Sequence, residues 1–134
     1  MPLSPTYIKT ITIPSSVIDE NGHVNNVVYV QWMQDIAVEH YASIGGIEAQ
    51  GPDATWVVRE HKVEYLLPAF AGEQIEIRTW VENVRRVRSL RKYEFVRKSD
   101  GKILVKGETD WVFVDTKNGS PLAIPANVTD VFEK

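Results

Sequence analysis

Cysteine is absent from the 134 residues of the chain. This absence excludes a disulfide framework, a thiolate metal site and a cysteine nucleophile, and it is compatible with a reducing compartment. Long apolar runs are absent too, since none approaches the about 20 residues that a membrane span requires. The first residues also lack the charged and then apolar pattern of a signal peptide. We therefore expect a cytoplasmic protein without a membrane span.

Net positive charge is a third feature that the sequence lacks. The formal net charge is −3, whereas a nucleic-acid-binding domain usually carries a basic footprint. The three histidines are well separated and have no cysteine beside them, so we expect no metal site. Hydrophobic residues make up 43% of the chain and charged residues 25%, which is typical of a folded domain. The length predicts one domain over residues 1–134.

Apolar periodicity predicts one strand, one long helix and then four strands. Alternation with a period of two predicts strands over residues 7–13, 55–67, 73–84, 89–98 and 103–115. Apolar residues at helical spacing predict a helix over residues 26–44, which Asn25 caps and Gly45-Gly46 ends. A short helix is expected after Pro125. Strands joined by short turns indicate an antiparallel sheet, so the fold class is α+β with one long buried helix across the sheet.

The segment DENGHVNN at residues 19–26 gathers polar side chains just before the long helix begins. Backbone N–H groups at a helix N-terminus have no intrahelical partner and can stabilise an oxyanion. A carboxylate such as Asp19 can act there as a general base or a nucleophile. His23 adds an imidazole, and Asn21 can orient a water molecule or a carbonyl group. These are the parts needed to hydrolyse an acyl group; alternatively, the same residue types serve as turn formers and helix caps.

The run DENGHVNNVVY at residues 19–29 resembles the signature of hot-dog-fold thioesterases in the 4-hydroxybenzoyl-CoA thioesterase superfamily. Its D-x-N-x-H-V-N-N-V pattern is also similar to a segment of the plant acyl-ACP thioesterases. The long helix, YLLPAFAGEQIEI, DWVFVD and the closing LAIP follow the order of that superfamily along nearly the whole chain. The resemblance implies a five-stranded antiparallel sheet wrapped around one central helix. It also implies subunits that pair edge to edge into homodimers and often into tetramers.

An activity and a set of site residues follow from the same resemblance. The expected reaction is hydrolysis of an acyl-CoA or acyl carrier protein thioester to free acid and thiol, without a metal or redox cofactor. Asp19 matches the catalytic carboxylate, acting as nucleophile or as base toward water, and Asn21 and His23 match the polar pair that assists it. Asn26 and Val27 lie where backbone amides polarise the thioester carbonyl.

The chain departs from the superfamily pattern at several positions. Val17 stands where many bacterial members carry a second Asp, and Ser15 stands where some carry a tyrosine. Asn26 stands where those members carry a histidine, and Pro68-Ala69 occupies the position of the Glu-Cys pair of the plant enzymes. These differences leave the D-x-N-x-H loop as the catalytic set and leave Asp19 in its role.

Other charged and titratable side chains offer alternative sites. Asp35 and Glu39, one turn apart on the helix, are further carboxylates that we expect to face solvent or an interface. His40 and His61 are expected to pack rather than to bind a ligand. A basic run between two strands can hold the phosphates of CoA or the surface of an acyl carrier protein. Its candidate residues are Arg85, Arg86, Arg88 and Arg91.

Two other functions are compatible with the fold that the resemblance implies. Hot-dog hydratases and dehydratases carry a D-x-N-P-x-H motif, with one more residue between Asp and His and a proline that this chain lacks. The shorter spacing favours the thioesterase. The third hypothesis is a non-catalytic subunit that binds acyl chains, which leaves the joint presence of Asp19, Asn21 and His23 unexplained.

Overall fold

The computed structural model describes residues 1–134 and contains one antiparallel sheet with one long helix. The strands are β1 (Tyr7–Thr12), β2 (Ala54–Tyr65), β3 (Gln74–Arg85), β4 (Arg88–Arg97) and β5 (Ile103–Asp115). The helices are α1 (Asn26–Ser43), α2 (Gly46–Gln50) and α3 (Ala126–Val131), and a 3-10 turn spans Ser15–Val17. The strand order is β1-β3-β4-β5-β2, with antiparallel pairing throughout. No helix has the length and apolar character needed to cross a membrane. The predicted α+β class with five strands and one long helix is confirmed.

Strand β2 ends two residues earlier than predicted, at Tyr65. Beyond it, the backbone N–H groups of Leu66 and Leu67 both donate to the carbonyl oxygen of Leu104, at 2.8 and 3.0 Å. Two donors on one acceptor break the regular ladder, so the chain turns away from the sheet here. The residues after Leu67 therefore run toward the start of α1.

Helix α2 was not predicted from the sequence. Gly45 follows α1 with a φ of 83°, a left-handed conformation that glycine adopts without strain. The chain then becomes helical again at Gly46, where the Tyr41 ring lies so close that a Cβ atom has no room. The glycine pair is therefore a bend between two helices rather than the end of helical structure.

One buried stripe holds α1 on the sheet. Its buried residues recur at helical spacing: Tyr29, Met33, Ile36, Ala37 and His40. The apolar members of the stripe share a core with sheet residues such as Phe95, Ile75 and Leu104, each fully buried. Gly107 on β5 allows the close approach, because a Cβ atom there would lie 2.8 Å from Met33 Sδ. Helix α1 contains many valines, which have low helix propensity. Burial of this stripe therefore stabilises the helix more than propensity does.

Asn25 caps α1 as predicted. Its side-chain Oδ1 accepts a hydrogen bond from Val27 N–H at 3.0 Å, which satisfies one amide that has no partner within the helix. We expect Asn25→Ala to lower the free energy of unfolding by about 1 kcal/mol, measured by denaturant titration. Asn26→Ala is the matched control, because Asn26 is exposed and its side chain makes no hydrogen bond within the chain. Equal losses in the two variants would contradict the capping role.

Candidate active site

Residues 19–23, called the Asp19 loop from here on, fold into a tight turn just before α1. Asp19 N–H donates to His23 O at 3.1 Å, and Gly22 N–H donates to Asp19 O at 3.0 Å. A single antiparallel bridge between Ile18 and Val24 closes the turn. Gly22 has a φ of 85°, which a residue with a side chain rarely adopts, so glycine is needed for the turn to close. The loop is therefore a small defined hairpin.

Backbone contacts attach this hairpin to the rest of the fold. Val24 N–H donates to Ala69 O at 2.9 Å, and Asn25 N–H donates to Val17 O at 3.0 Å. Val24 and Ala69 are both buried. The segment that follows β2 thus fixes the position of the Asp19 loop relative to the first turn of α1.

The Asp19 carboxylate keeps one oxygen free. Its Oδ1 accepts a hydrogen bond from Asn21 N–H at 2.9 Å, which holds the side chain in the turn. Its Oδ2 has no hydrogen-bond partner within the chain, and the residue is half-buried. Such a carboxylate is oriented on one side and open on the other, as a general base or nucleophile requires.

Asn21 and His23 share the loop with Asp19, but their side chains do not hydrogen-bond to its carboxylate. The Asn21 side chain is exposed and makes no hydrogen bond within the chain. His23 is half-buried, and its Nδ1 lies 3.3 Å from Val24 O. With the proton on Nδ1, that nitrogen donates to the carbonyl and leaves Nε2 as an acceptor. The three predicted residues are thus neighbours without forming a hydrogen-bonded triad.

The N-terminus of α1 offers one open amide. Val27 N–H is taken by the Asn25 side chain at 3.0 Å, and Val28 N–H donates to Asn25 O at 3.0 Å. Asn26 N–H has no partner within the chain. Of the two amides that the sequence suggested for the oxyanion, Asn26 is available and Val27 is occupied by the cap. Because the helix dipole places partial positive charge at this end, the free amide is suited to bind an oxyanion.

Tyr65 is a site residue that sequence reasoning missed. Its hydroxyl, from the end of β2, donates to Asn26 O at 3.0 Å. The bond links the edge strand to the first residue of α1 across 39 positions of sequence. No local pattern signals such a long-range contact. Tyr65 therefore helps to position the peptide plane next to the open amide.

Exposed apolar side chains surround this junction. They lie at the start of α1 and in the segment after β2, on either side of the Tyr65–Asn26 and Val24–Ala69 hydrogen bonds. These residues are Val27, Tyr65, Leu66, Leu67 and Phe70, each at least 39% exposed. Exposed apolar surface of this kind marks a binding region for an apolar ligand or a protein partner.

The alternative carboxylates and His61 lie in ordinary structural surroundings. Asp35 is exposed and accepts from Gln31 Nε2 at 2.8 Å, and Glu39 pairs with a lysine of β1, with its side chain 41% exposed. His61 contacts Thr109 Oγ1 through Nδ1 at 2.8 Å, and partial burial lowers its pKa. These positions agree with the roles that the sequence predicted. No group of three His, Asp or Glu side chains lies close enough to hold a metal ion.

The four arginines of the basic run do not share one surface. Arg85 and Arg86 are exposed at the turn between β3 and β4, while Arg88 pairs with Asp110 through contacts of 2.6 and 3.1 Å. Arg91 is only 4% exposed, so its assignment to an exposed phosphate-binding run is wrong. The reason is the two-residue period of β4, which turns every second side chain from position 89 onward toward the interior.

Arg91 instead forms a buried cluster with His40 and Thr79. Its Nη1 lies 2.8 Å from His40 Nδ1 and 3.1 Å from Thr79 Oγ1. Burial, together with the positive charge of Arg91, lowers the pKa of His40 to about 4, and burial lowers the pKa of Arg91 to about 10. At neutral pH His40 is therefore neutral and accepts a hydrogen bond through Nδ1 from a charged guanidinium. Tyr7 stacks on the His40 ring with centroids 5.1 Å apart.

Comparison with known proteins identifies the class. Residues 14–132 match the family model of the thioesterase-like superfamily. The Caenorhabditis elegans protein F42H10.6, whose name describes it provisionally as an esterase, is 40% identical over 115 residues. That match covers 86% of this chain and 68% of the C. elegans protein. The chain belongs to the thioesterase-like superfamily, which supports acyl thioester hydrolysis as its general activity.

Solved structures confirm the hot-dog fold. The 1,4-dihydroxy-2-naphthoyl-CoA thioesterase Slr0204 from Synechocystis superposes with a TM-score of 0.84 at 14% identity, covering 96% of each chain. The protein SAV2348 from Staphylococcus aureus, solved in complex with CoA, also gives 0.84, at 17% identity. It is matched over 96% of this chain and 82% of its own. At these identities the likeness establishes the fold.

Proposed function

We propose that the chain hydrolyses acyl thioesters to free acid and thiol at the Asp19 loop. One observation carries the proposal: a carboxylate with a free oxygen and a helix N-terminal amide with no partner occur at the same loop–helix junction. Apolar side chains exposed around that junction are suited to contact an acyl group. Membership of the thioesterase-like superfamily supports this class of reaction.

The reaction can follow either of two routes from these groups. In the first, Asp19 removes a proton from water as the water oxygen attacks the carbonyl carbon, and negative charge moves onto the carbonyl oxygen. The tetrahedral intermediate then collapses, the C–S bond breaks, and the departing thiolate takes up the proton held by Asp19. In the second, Asp19 attacks the carbon itself, releases the thiolate, and water then hydrolyses the anhydride. Asn26 N–H stabilises the oxyanion in both routes, and His23 and Asn21 assist with proton transfer and with orientation of water.

CoA is the thiol carrier that we favour over acyl carrier protein. The fold relatives include a CoA thioesterase and a protein solved with CoA bound, which supports this choice at the level of fold. Among the predicted basic residues, Arg85 and Arg86 are exposed and belong to no salt bridge of the chain. We propose that these two contact the nucleotide phosphates.

Truncated substrates test the phosphate contact. We expect an Arg85→Gln/Arg86→Gln variant to raise KM for acyl-CoA several-fold, because exposed charge pairs contribute up to about 1 kcal/mol each. KM for the matching acyl-pantetheine, which lacks the nucleotide, should not change. A change of the same size for both substrates would contradict phosphate recognition by Arg85 and Arg86.

Product analysis tests the reaction class. Purified protein is mixed with acyl-CoAs of short to long aliphatic and of aromatic type, and free thiol is followed with a chromogenic disulfide. The chain has no cysteine, so the protein adds no thiol background. We expect acid and CoA in equal amounts from at least one substrate. Water addition to an unsaturated acyl group without CoA release would indicate a hydratase, and binding without turnover would indicate an acyl-binding subunit.

We further propose that two copies pair through β2. This strand spans Ala54–Tyr65 at one edge of the sheet, and such an edge needs a partner or protection. Val57 on β2 is 43% exposed, so the edge carries an exposed apolar side chain. Light scattering should give twice the chain mass, and a Val57→Asp variant should shift the mass toward one chain. Monomeric wild-type protein would contradict the pairing.

A further inference from the structure

Two asparagines of the chain precede a glycine, at Asn21-Gly22 and at Asn118-Gly119. In such a pair the main-chain nitrogen of the glycine can attack the side-chain amide carbon of the asparagine, because glycine has no Cβ atom to obstruct the approach. Asparagine is accordingly among the thermolabile residues of proteins. Both asparagines are exposed to water, which this chemistry consumes. The sequence pattern alone therefore does not distinguish the two positions.

The backbone holds the two glycines in similar turns. Gly22 N–H donates to Asp19 O at 3.0 Å, and Gly119 N–H donates to Asp115 O at 2.8 Å. The φ angles of the two glycines are 85° and 75°. In each turn the leading aspartate also accepts a main-chain N–H through Oδ1, at 2.9 and 2.7 Å. The two attacking nitrogens are therefore engaged alike, and any difference in reactivity between the turns comes from the asparagine side chains.

The two asparagine side chains differ in their hydrogen bonds. Asn118 Oδ1 accepts from Ser120 N–H at 2.9 Å, which holds the amide group of that side chain in place. The Asn21 side chain makes no hydrogen bond within the chain, and only its main-chain N–H is engaged in the turn. Attack on the amide carbon requires the side chain to turn toward the glycine nitrogen. Asn118 therefore has to break a hydrogen bond before it reacts, whereas Asn21 does not.

We propose that Asn21 is a site of spontaneous deamidation in the folded protein. The Gly22 nitrogen forms a bond to Asn21 Cγ, the bond from Cγ to the side-chain nitrogen breaks, and ammonia leaves with the proton of the glycine N–H. The product of this step is a cyclic succinimide. Water then opens the ring at either of its carbonyl carbons, which gives aspartate or isoaspartate at position 21. The net reaction converts an amide into a carboxylic acid and consumes water, so it needs no other reactant.

The modification alters the Asp19 loop, and its effect on activity rests on the proposed hydrolysis at that loop. Isoaspartate adds a methylene group to the main chain between positions 21 and 22, inside the hairpin that the hydrogen bonds of Asp19 N–H and Asp19 O close. The lengthened chain no longer matches the turn in which Asn21 N–H holds Asp19 Oδ1. The carboxylate of Asp19 therefore loses its orientation, and kcat/KM should fall as isoaspartate accumulates.

Conversion rates at the two asparagines, measured in one sample, test the proposal. The purified protein is kept in heavy-oxygen water at mildly alkaline pH and digested in acid, and peptide mass spectrometry measures the label at positions 21 and 118. In the folded protein Asn21 should convert about fivefold faster than Asn118, the factor that one neutral hydrogen bond represents. In denaturant, which releases both side chains, the two rates should become similar. Equal rates in the folded protein, faster conversion of Asn118, or conversion of Asn21 in denaturant alone would overturn the proposal.

Matched variants test the effect on activity. Asn21→Gln has a side chain that closes only a larger and slower-forming ring, so position 21 should gain no label. During the same incubation the rate of thiol release should fall in the wild type and in Asn118→Gln, while Asn21→Gln should keep its own starting rate. An equal decline in all three proteins would overturn the link between deamidation and the active site. If no acyl-CoA is hydrolysed, the proposed function fails, whereas the label at position 21 still decides the deamidation.

Discussion

Replacing Asp19 by asparagine is expected to lower kcat/KM for acyl-CoA hydrolysis by about 100- to 10,000-fold, the usual contribution of a positioned general base. The amide is nearly isosteric, and its oxygen can still accept the hydrogen bond from Asn21 N–H that shapes the loop. It cannot accept a proton from water or attack the carbonyl as an anion. We therefore expect the variant to fold like the wild type and to lose hydrolytic activity. Initial rates of CoA release and circular dichroism of the variant measure these two effects.

Two further carboxylates provide controls for this variant. Asp35→Asn and Glu39→Gln remove charge from α1. Asp35 is exposed and contacts a glutamine, and Glu39 is partly exposed and contacts a lysine. Both variants should keep kcat/KM within a few-fold of the wild-type value. Activity that persists in Asp19→Asn but falls in Glu39→Gln would move the chemistry to the helix carboxylate.

Acid should destabilise the fold through His40. Burial and Arg91 lower the pKa of His40 to about 4, while an unfolded histidine titrates near 6.5. Between these values the unfolded chain binds a proton that the folded chain does not, so the free energy of unfolding falls as the pH falls. The stabilisation that comes from this difference in proton binding is complete above about pH 6.5 and is lost as the pH approaches 4. It amounts to about 3 kcal/mol.

The variant His40→Asn isolates this contribution. The asparagine carbonyl can accept from Arg91 in place of Nδ1, and it does not titrate. The variant should be less stable than the wild type at pH 7, and this difference should shrink by about 3 kcal/mol between pH 7 and pH 4. His61→Asn is the control. Because His61 is only half-buried, the stability difference between this variant and the wild type should change less over the same pH range. Parallel stability curves for wild type and His40→Asn over this range would contradict the assignment.

The sequence was sufficient to predict the sheet and the long helix, because their apolar periodicities agree with their burial. The prediction from sequence was wrong at positions where two local patterns coincide. Gly45-Gly46 indicates the end of a helix, yet the second glycine begins α2 because the Tyr41 ring covers it. Arg91 was grouped with its charged neighbours, although the alternation of β4 already predicted an inward side chain.

The sequence predicted which residues form the candidate site better than it predicted their hydrogen bonds. Asp19, Asn21 and His23 were grouped by spacing, and the structure keeps them in one hairpin. The helix cap determines which backbone amide remains free. Because Asn25 is the N-cap, its side chain occupies Val27 N–H, and Asn26 N–H is left without a partner. The Tyr65 contact with Asn26 depends on tertiary structure, so no local pattern could have revealed it.

The position of a bound thioester tests the central claim most directly. In a crystal structure of the Asp19→Asn variant with an intact acyl-CoA, the distance from the thioester carbonyl oxygen to Asn26 N should be about 3 Å. The side chain at position 19 should lie about 3–3.5 Å from the carbonyl carbon, or reach it through one water molecule. A thioester bound away from the α1 N-terminus, or with its carbonyl oxygen turned from Asn26 N–H, would contradict hydrolysis at the Asp19 loop.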